Sequence, residues 1–186
     1  AKKYENKNIF YSVNDKNKFK GKNVVIFGGG DSALDWTLEL SKIANITLVH
    51  RRDEFRGAPH TLSEIKKLEK KGKLAVKTKY QINSIEGNSS IKSITIKNDD
   101  GKIEKIETNY ILGFFGLIMQ LGPIAQWGLN MDRKTIKVNT ENFQTNKKGI
   151  FAIGDICSYP GKERLILSGF HEAALASVEC FKRARP

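Results

Sequence analysis

The chain has 186 residues, 39% hydrophobic and 28% charged, which suits one good domain or two small ones of a soluble globular protein. Its longest uncharged apolar run, Ile111 to Met119, falls far short of the roughly 18 residues of a membrane helix and reads as buried strand and turn. The net charge of +12 suggests an acidic partner, though lysines outnumber arginines 25 to 7, so lysine as the default surface residue of a biased proteome explains it equally.

Residues 1–21 are polar and lysine-rich and read as a lead-in segment or linker. Within them Ile9 to Val13 is an aromatic-β stretch that anchors to a core, and Asp15 to Lys22 is a solvated loop. Lys22 to Phe27 is the first strand. It runs into Gly28-Gly29-Gly30-Asp31-Ser32-Ala33, where a helix begins with apolar residues at Ala33, Leu34, Trp36, Leu38, Leu40 and Ile43. Trp36 is expected in the core. Asn45 to Val49 is the second strand, and it ends in His50-Arg51-Arg52 with Arg56 four residues further on.

This outline is that of a dinucleotide site. Gly28 permits the tight turn out of the strand, Gly30 has no side chain to hold the backbone away from a pyrophosphate, and Ala33 suits close helix-to-strand packing. The phosphates would rest on the free amides and positive dipole end of the helix. Asp31 would repel them and is read as helix-stabilising and turned away, with Ser32 the better hydroxyl donor. An Asp or Glu about twenty residues on would accept from the ribose hydroxyls of NAD(H). Here stand His50, Arg51, Arg52 and Arg56, whose guanidinium forks match a phosphate dianion and favour NADP(H). The bland alternative is a glycine turn beside a solvated basic loop.

Pro59 to Glu64 starts the next helix, with Thr61 and Glu64 at capping-box spacing, Leu62, Ile65 and Leu68 on one face, and Gly72 as the stop. Leu74 to Lys77 is extended. Short β segments follow at Tyr80 to Ile85, Ile91 to Lys97 and Lys102 to Glu107. The last two are joined by Asn98-Asp99-Asp100-Gly101, read as a primed hairpin turn. The chain then returns through the buried run Tyr110 to Phe115. A nucleotide-binding parallel sheet with an antiparallel β insert would read this way. From Gly116 the character changes, so a first domain is drawn over 22–116 and a second over 117–186. The second holds the turn-rich Leu121 to Leu129, a strand at Thr135 to Asn139, the apolar run Gly149 to Asp155 and a helix from Ser168 to Arg183.

Cys157 and Cys180 are too far apart for a Cys-x-x-Cys pair and too few for a disulfide scaffold, and are expected as reduced, partly buried thiols of a cytoplasmic protein. The N-terminal residues Ala1 to Asn8 show no apolar signal region, so no targeting segment is visible. His50, His60 and His171 lack metal-ligand spacing, so no metal is expected. No nucleic-acid signature accompanies the charge, and neither nucleic acid nor membrane is expected as a partner.

Four stretches together carry a resemblance over nearly the whole chain: Gly28 to Ala33, His50-Arg51-Arg52 through Arg56, Gly154-Asp155-Ile156 and Gly169 to Ala174. They resemble the two-dinucleotide-domain flavoprotein reductases of the thioredoxin reductase group, within it the thioredoxin-reductase-like ferredoxin–NADP reductases. Asp31 to Trp36, Leu121 to Ile124, Trp127 to Leu129, and Gly154 to Cys157 with Tyr159, Gly161 and Lys162 are most similar to that branch. Thioredoxin reductases carry a Cys-x-x-Cys just ahead of the NADP strand. Here Tyr11 to Asp15 stand in its place, and without a thiolate no disulfide is attacked, which leaves a one-electron carrier as acceptor.

The resemblance implies an α/β fold, with a Rossmann-like NADP-binding domain and the C-terminal part of an FAD-binding domain. It implies hydride transfer from NADPH to FAD, and from there single electrons to ferredoxin or flavodoxin, an acidic carrier that a basic surface would steer. Gly28 to Ala33 would hold the pyrophosphate, and His50, Arg51, Arg52 and Arg56 the 2′-phosphate end. Gly154, Asp155 and Ile156 would serve FAD, Asp155 accepting from ribityl hydroxyls; from its own neighbours Asp155 reads equally as an N-cap or turn residue. No first glycine-rich unit for the FAD adenylate is seen, so the chain is expected to be part of a longer reductase, inactive and poor in FAD affinity by itself. A homodimer of the full-length protein is allowed. Two rivals stand: a thioredoxin-reductase-type flavoprotein with its dithiol elsewhere, and a non-catalytic NADP(H)-sensing module.

Overall fold

In the computed structural model, which describes residues 1–116 and 120–185, the chain divides into two compact units, Ala1–Leu117 and Ile118–Pro186. Leu117 to Met119, the end of the predicted apolar run, lie outside the described residues, as does Pro186.

The first unit contains β1 (Ile9–Phe10), β2 (Asn23–Gly28), α1 (Asp31–Ser41), β3 (Asn45–His50), α2 (Pro59–Lys70), β4 (Leu74–Thr78), β5 (Tyr80–Gly87), β6 (Ile91–Asn98), β7 (Ile103–Glu107) and β8 (Tyr110–Phe114). Five strands make a wholly parallel sheet in the order β1-β8-β2-β3-β4, while β5, β6 and β7 form an antiparallel meander. The α/β class with an antiparallel insert is thus the observed one.

Strand alternation explains the layering. Val24 and Ile26 join Leu48, Leu112 and the helix residues Leu34, Leu40 and Ile65 in one core, while Val25, Phe27, Val49 and Ile111 join Tyr80, Ile94 and Ile96 of the meander in another. Because both faces of the sheet are covered, β2 reads as a continuous apolar run rather than an alternating one.

Five local expectations are corrected. The loop expected over residues 15–22 contains a short 3-10 turn, Lys16–Phe19, whose Phe19 is buried edge-on against Phe10 and Tyr110 with ring centroids 6.2 and 5.3 Å apart. The lead-in residues belong to the first unit, with Tyr4 and Ile9 in its core and β1 paired to β8. The capping box does not form: Pro59, whose fixed φ suits the first helical position, starts α2 after Ala58, leaving Thr61 inside the helix and Glu64 paired with Lys67. In the hairpin after β6 only Gly101 has positive φ, +86°, so the turn is a type I turn closed by a bulge instead of a primed turn, with the Gly101 amide donating to the Asn98 carbonyl at 3.1 Å. Phe115, expected buried, is 70% exposed.

The second unit holds β9 (Met131–Asp132), β10 (Thr135–Lys137), β11 (Cys157–Ser158) and α3 (Ile166–Ala184). Its small sheet runs β11-β10-β9 over a core of Leu129, Ile136, Ala152 and Cys157. The run Gly149 to Asp155 makes one bridge, Gln144 to Phe151, then bends through a 3-10 turn, Gly154–Ile156. No helix among the described residues is long and apolar enough to cross a membrane.

Candidate functional site

The crossover through α1 carries the chain from β2 toward β3 and β4, while β8 and β1 lie on the other side of β2. Strand order therefore reverses at β2, and an open parallel sheet leaves its ligand crevice at the C-terminal end of such a strand. Gly28, Gly29 and Gly30 stand there for three different reasons. A Cβ on Gly28 would lie 2.7 Å from both the Ala33 Cβ and the Phe114 carbonyl oxygen. One on Gly29 would lie 2.2 Å from His50 Cε1, whereas one on Gly30 would meet nothing within 4 Å. The first two glycines serve the protein's own packing. The third borders open space beside the amides of Gly30, Asp31 and Ser32, which precede the first intrahelical bonds of α1. Those donors and the positive helix end make a cradle suited to an anion, which a residue without a side chain at Gly30 lets approach the backbone closely.

The segment between β3 and α2 folds back over this turn. The Arg56 amide donates to the Gly29 carbonyl at 2.7 Å, and the Ala58 amide donates to Asp31 Oδ1 at 2.8 Å. His50 stacks on Phe55 with centroids 5.0 Å apart, and its Nε2 lies 3.1 Å from the Glu54 carbonyl oxygen. At the far side of the loop the Lys79 amide donates to the Arg52 carbonyl at 3.3 Å. Arg51, Arg52 and Arg56 are exposed, and none pairs with a carboxylate among the described residues; Asp53 is taken by Lys79 at 3.0 Å. Burial pushes the His50 imidazole below its ordinary pKa. The charges of Arg52, Arg51 and Arg56 add to that, against the opposing effect of the Glu54 carbonyl. This donor set, three unpaired guanidiniums beside a helix N-terminus, fits a phosphorylated dinucleotide and offers no acceptor for ribose hydroxyls.

Two predicted residues have further contacts. Asp31 stands in the first turn of α1, where a carboxylate suits the positive helix end, and its Oδ1 also accepts from the Ala58 amide. Ala33 is fully buried beneath Gly28 and supports the turn without an exposed surface of its own.

In the second unit, Gly154, Asp155 and Ile156 form the 3-10 turn, Gly154 with φ +72°. Asp155 is exposed, does not cap the turn, and makes no side-chain hydrogen bond among the described residues, so its oxygens remain available as acceptors. Behind the turn lies Glu172 of α3, 0% exposed. Its Oε2 accepts from the Gly154 amide at 2.6 Å and the Cys157 thiol at 3.4 Å; its Oε1 accepts from the Tyr159 hydroxyl at 2.7 Å and from Lys162. Burial alone would raise this carboxyl, but the four donors outweigh it and hold it below the ordinary range. Burial, then the Glu172 carboxylate, push the Cys157 thiol up to about 11, and the hydrogen bond to Glu172 raises Tyr159 to about 12. Cys157 is thus a buried, protonated thiol, while Cys180, expected partly buried, is exposed.

Glu172, Lys162 and Tyr159 had no assigned role in the sequence. No sequence signal marked Glu172: that it shares the buried stripe of α3 with Ala176, one turn on, is known only from the structure. The Asp31 to Ala58 contact had no signal either, because it joins residues 27 positions apart.

Residues 2–176 match the pyridine nucleotide-disulphide oxidoreductase family. The ferredoxin–NADP reductase of Pelagibacter ubique (strain HTCC1062) is 65% identical over 100% of this chain and 55% of its own length. That of Orientia tsutsugamushi (strain Ikeda) is 51% identical over 97% of this chain and 54% of its own length. The crystal structure of T. acidophilum thioredoxin reductase superposes with a TM-score of 0.82 at 25% identity, over 100% of this chain and 60% of that one. The chain spans about half the length of the curated relatives it matches. With its glycine turn at the reversal point of a parallel sheet and a family match across both units, the chain belongs to the pyridine nucleotide-disulphide oxidoreductases.

Proposed function

We propose that the chain is the NADP(H)-binding portion of a flavin-dependent ferredoxin–NADP reductase, joined to the C-terminal part of its FAD-binding domain. The observation that carries this reading is the unpaired Arg51, Arg52 and Arg56 cluster on a loop whose backbone is bonded to Gly29. In this reading the Gly30, Asp31 and Ser32 amides bind the pyrophosphate, the arginines bind the 2′-phosphate, and neutral His50 keeps the loop in place by stacking on Phe55. Gly154 to Ile156 serve FAD, with Asp155 accepting hydrogen bonds from its hydroxyls. NADP(H) and FAD would supply the hydride and electron chemistry, and the protein the binding and orientation. An acidic one-electron carrier, ferredoxin or flavodoxin, is the acceptor in this proposal, and its encounter should weaken with salt because the chain carries +12.

The test is a calorimetric titration with NADPH and NADH. NADPH is expected to bind more tightly, and Arg51→Ala or Arg52→Ala to weaken it by about 1 to 3 kcal/mol each while sparing NADH. Equal affinity for the two coenzymes would refute the assignment.

A further inference from the structure

Among the described residues Glu172 is the one charged residue that is fully buried, and nothing in the proposed function uses it. A buried carboxylate is costly unless its lone pairs are filled, and here two donors fill each oxygen. The oxygens divide their work. Oε1 is anchored by Lys162 and Tyr159, from the segment between β11 and α3, while Oε2 faces the Gly154 amide and the Cys157 thiol. The 2.6 Å contact to Gly154 is a charge-assisted bond to the backbone at the first residue of the 3-10 turn. That residue takes its φ of +72° without strain because it is a glycine, and for the same reason its own backbone does little to fix the turn.

We propose that Glu172 is a positioning residue: braced by Lys162 and Tyr159, its carboxylate clamps the Gly154 amide and so fixes the turn that presents Asp155. The inference rests on the flavin reading of that turn and names what holds it. Glutamine at this position has one acceptor oxygen in place of two and no charge for Lys162, so the Gly154 bond and the Lys162 anchor can no longer both be kept.

On Glu172→Gln, hydrogen exchange at the Gly154 amide is expected to speed about tenfold or more, the effect of losing a charge-assisted hydrogen bond. The Cys157 thiol should become more readily alkylated. In the flavin-loaded reductase to which this chain is assigned, FAD release, followed by returning flavin fluorescence, should also speed about tenfold. Unchanged Gly154 exchange overturns the clamp. Faster exchange with unchanged FAD release overturns the positioning role; Asp155→Ala tests the flavin reading separately, and that reading stands if this variant loosens FAD. If Asp155→Ala leaves FAD bound as before, the flavin reading fails and the proposal with it. Should Glu172→Gln not fold, the unaltered chain supplies the test. Its Gly154 amide proton must then resonate well downfield of a random-coil glycine and exchange slowly with solvent, and a random-coil shift with fast exchange overturns the clamp.

Discussion

The three glycines of the turn separate packing from ligand binding. A methyl group on Gly29 would land 2.2 Å from a His50 ring that is itself stacked on Phe55, so the ring or the turn must move. Overpacking of this kind costs about 1 to 3 kcal/mol, which lowers the melting temperature by several degrees. Gly30 behaves oppositely. Its φ of −101° and ψ of 179° are open to alanine, and nothing lies within 4 Å of the added atom. Alanine is a poorer N-cap by up to about 1 kcal/mol, and restricting the unfolded chain returns about 0.4 to 1 kcal/mol, so the net change is near zero. If the pyrophosphate rests on these amides, the same methyl group occupies its place, and losing even one charge-assisted contact of about 1.5 to 3 kcal/mol weakens NADPH roughly 10- to 100-fold. Thermal melts and calorimetric titration of Gly29→Ala and Gly30→Ala measure both quantities. A well-folded Gly30→Ala chain that binds NADPH as tightly as the unaltered one would refute the placement of the phosphates.

Other expectations follow from the same geometry. Asp31→Ala removes the acceptor of the Ala58 amide and should loosen the arginine loop, weakening NADPH about 3- to 10-fold, whereas Asp31→Asn, which keeps an acceptor, should restore most of it in the same titration. His50 has a folded pKa below its ordinary 6.5, so the stability it contributes is complete above 6.5 and is lost as pH falls through the lower value. Urea midpoints should therefore decline from pH 7 downward, and more shallowly in His50→Phe, which keeps the stacking but cannot take up a proton. Iodoacetamide at pH 8 should label exposed Cys180 and spare Cys157, whose thiol is pushed up to about 11; mass spectrometry of the alkylated peptides decides it.

Local chemistry made much of the first unit legible in sequence. Two apolar strands, a glycine cluster and an α-helical period specify strand, turn and helix through backbone sterics and side-chain spacing alone, and Gly72 stops α2 with φ +67° as a left-handed residue should. The arginines were legible because charge and fork geometry belong to the residue type. Tertiary structure decided what depends on distant neighbours. The sequence cannot show that β8 returns between β1 and β2, yet that placement makes the end of β2 the point of reversal. Nor could it show that Gly29 is bare for the sake of His50, that Asp31 ties down Ala58, or that Phe19 is buried in a lysine-rich stretch. Glu172 is the clearest case: a helical glutamate is by default a solvated one, and only donors arriving from Gly154, Cys157, Tyr159 and Lys162 make its burial affordable. Spacing along the chain sets the elements, while the cost of leaving buried polar atoms unpartnered sets which side chains meet.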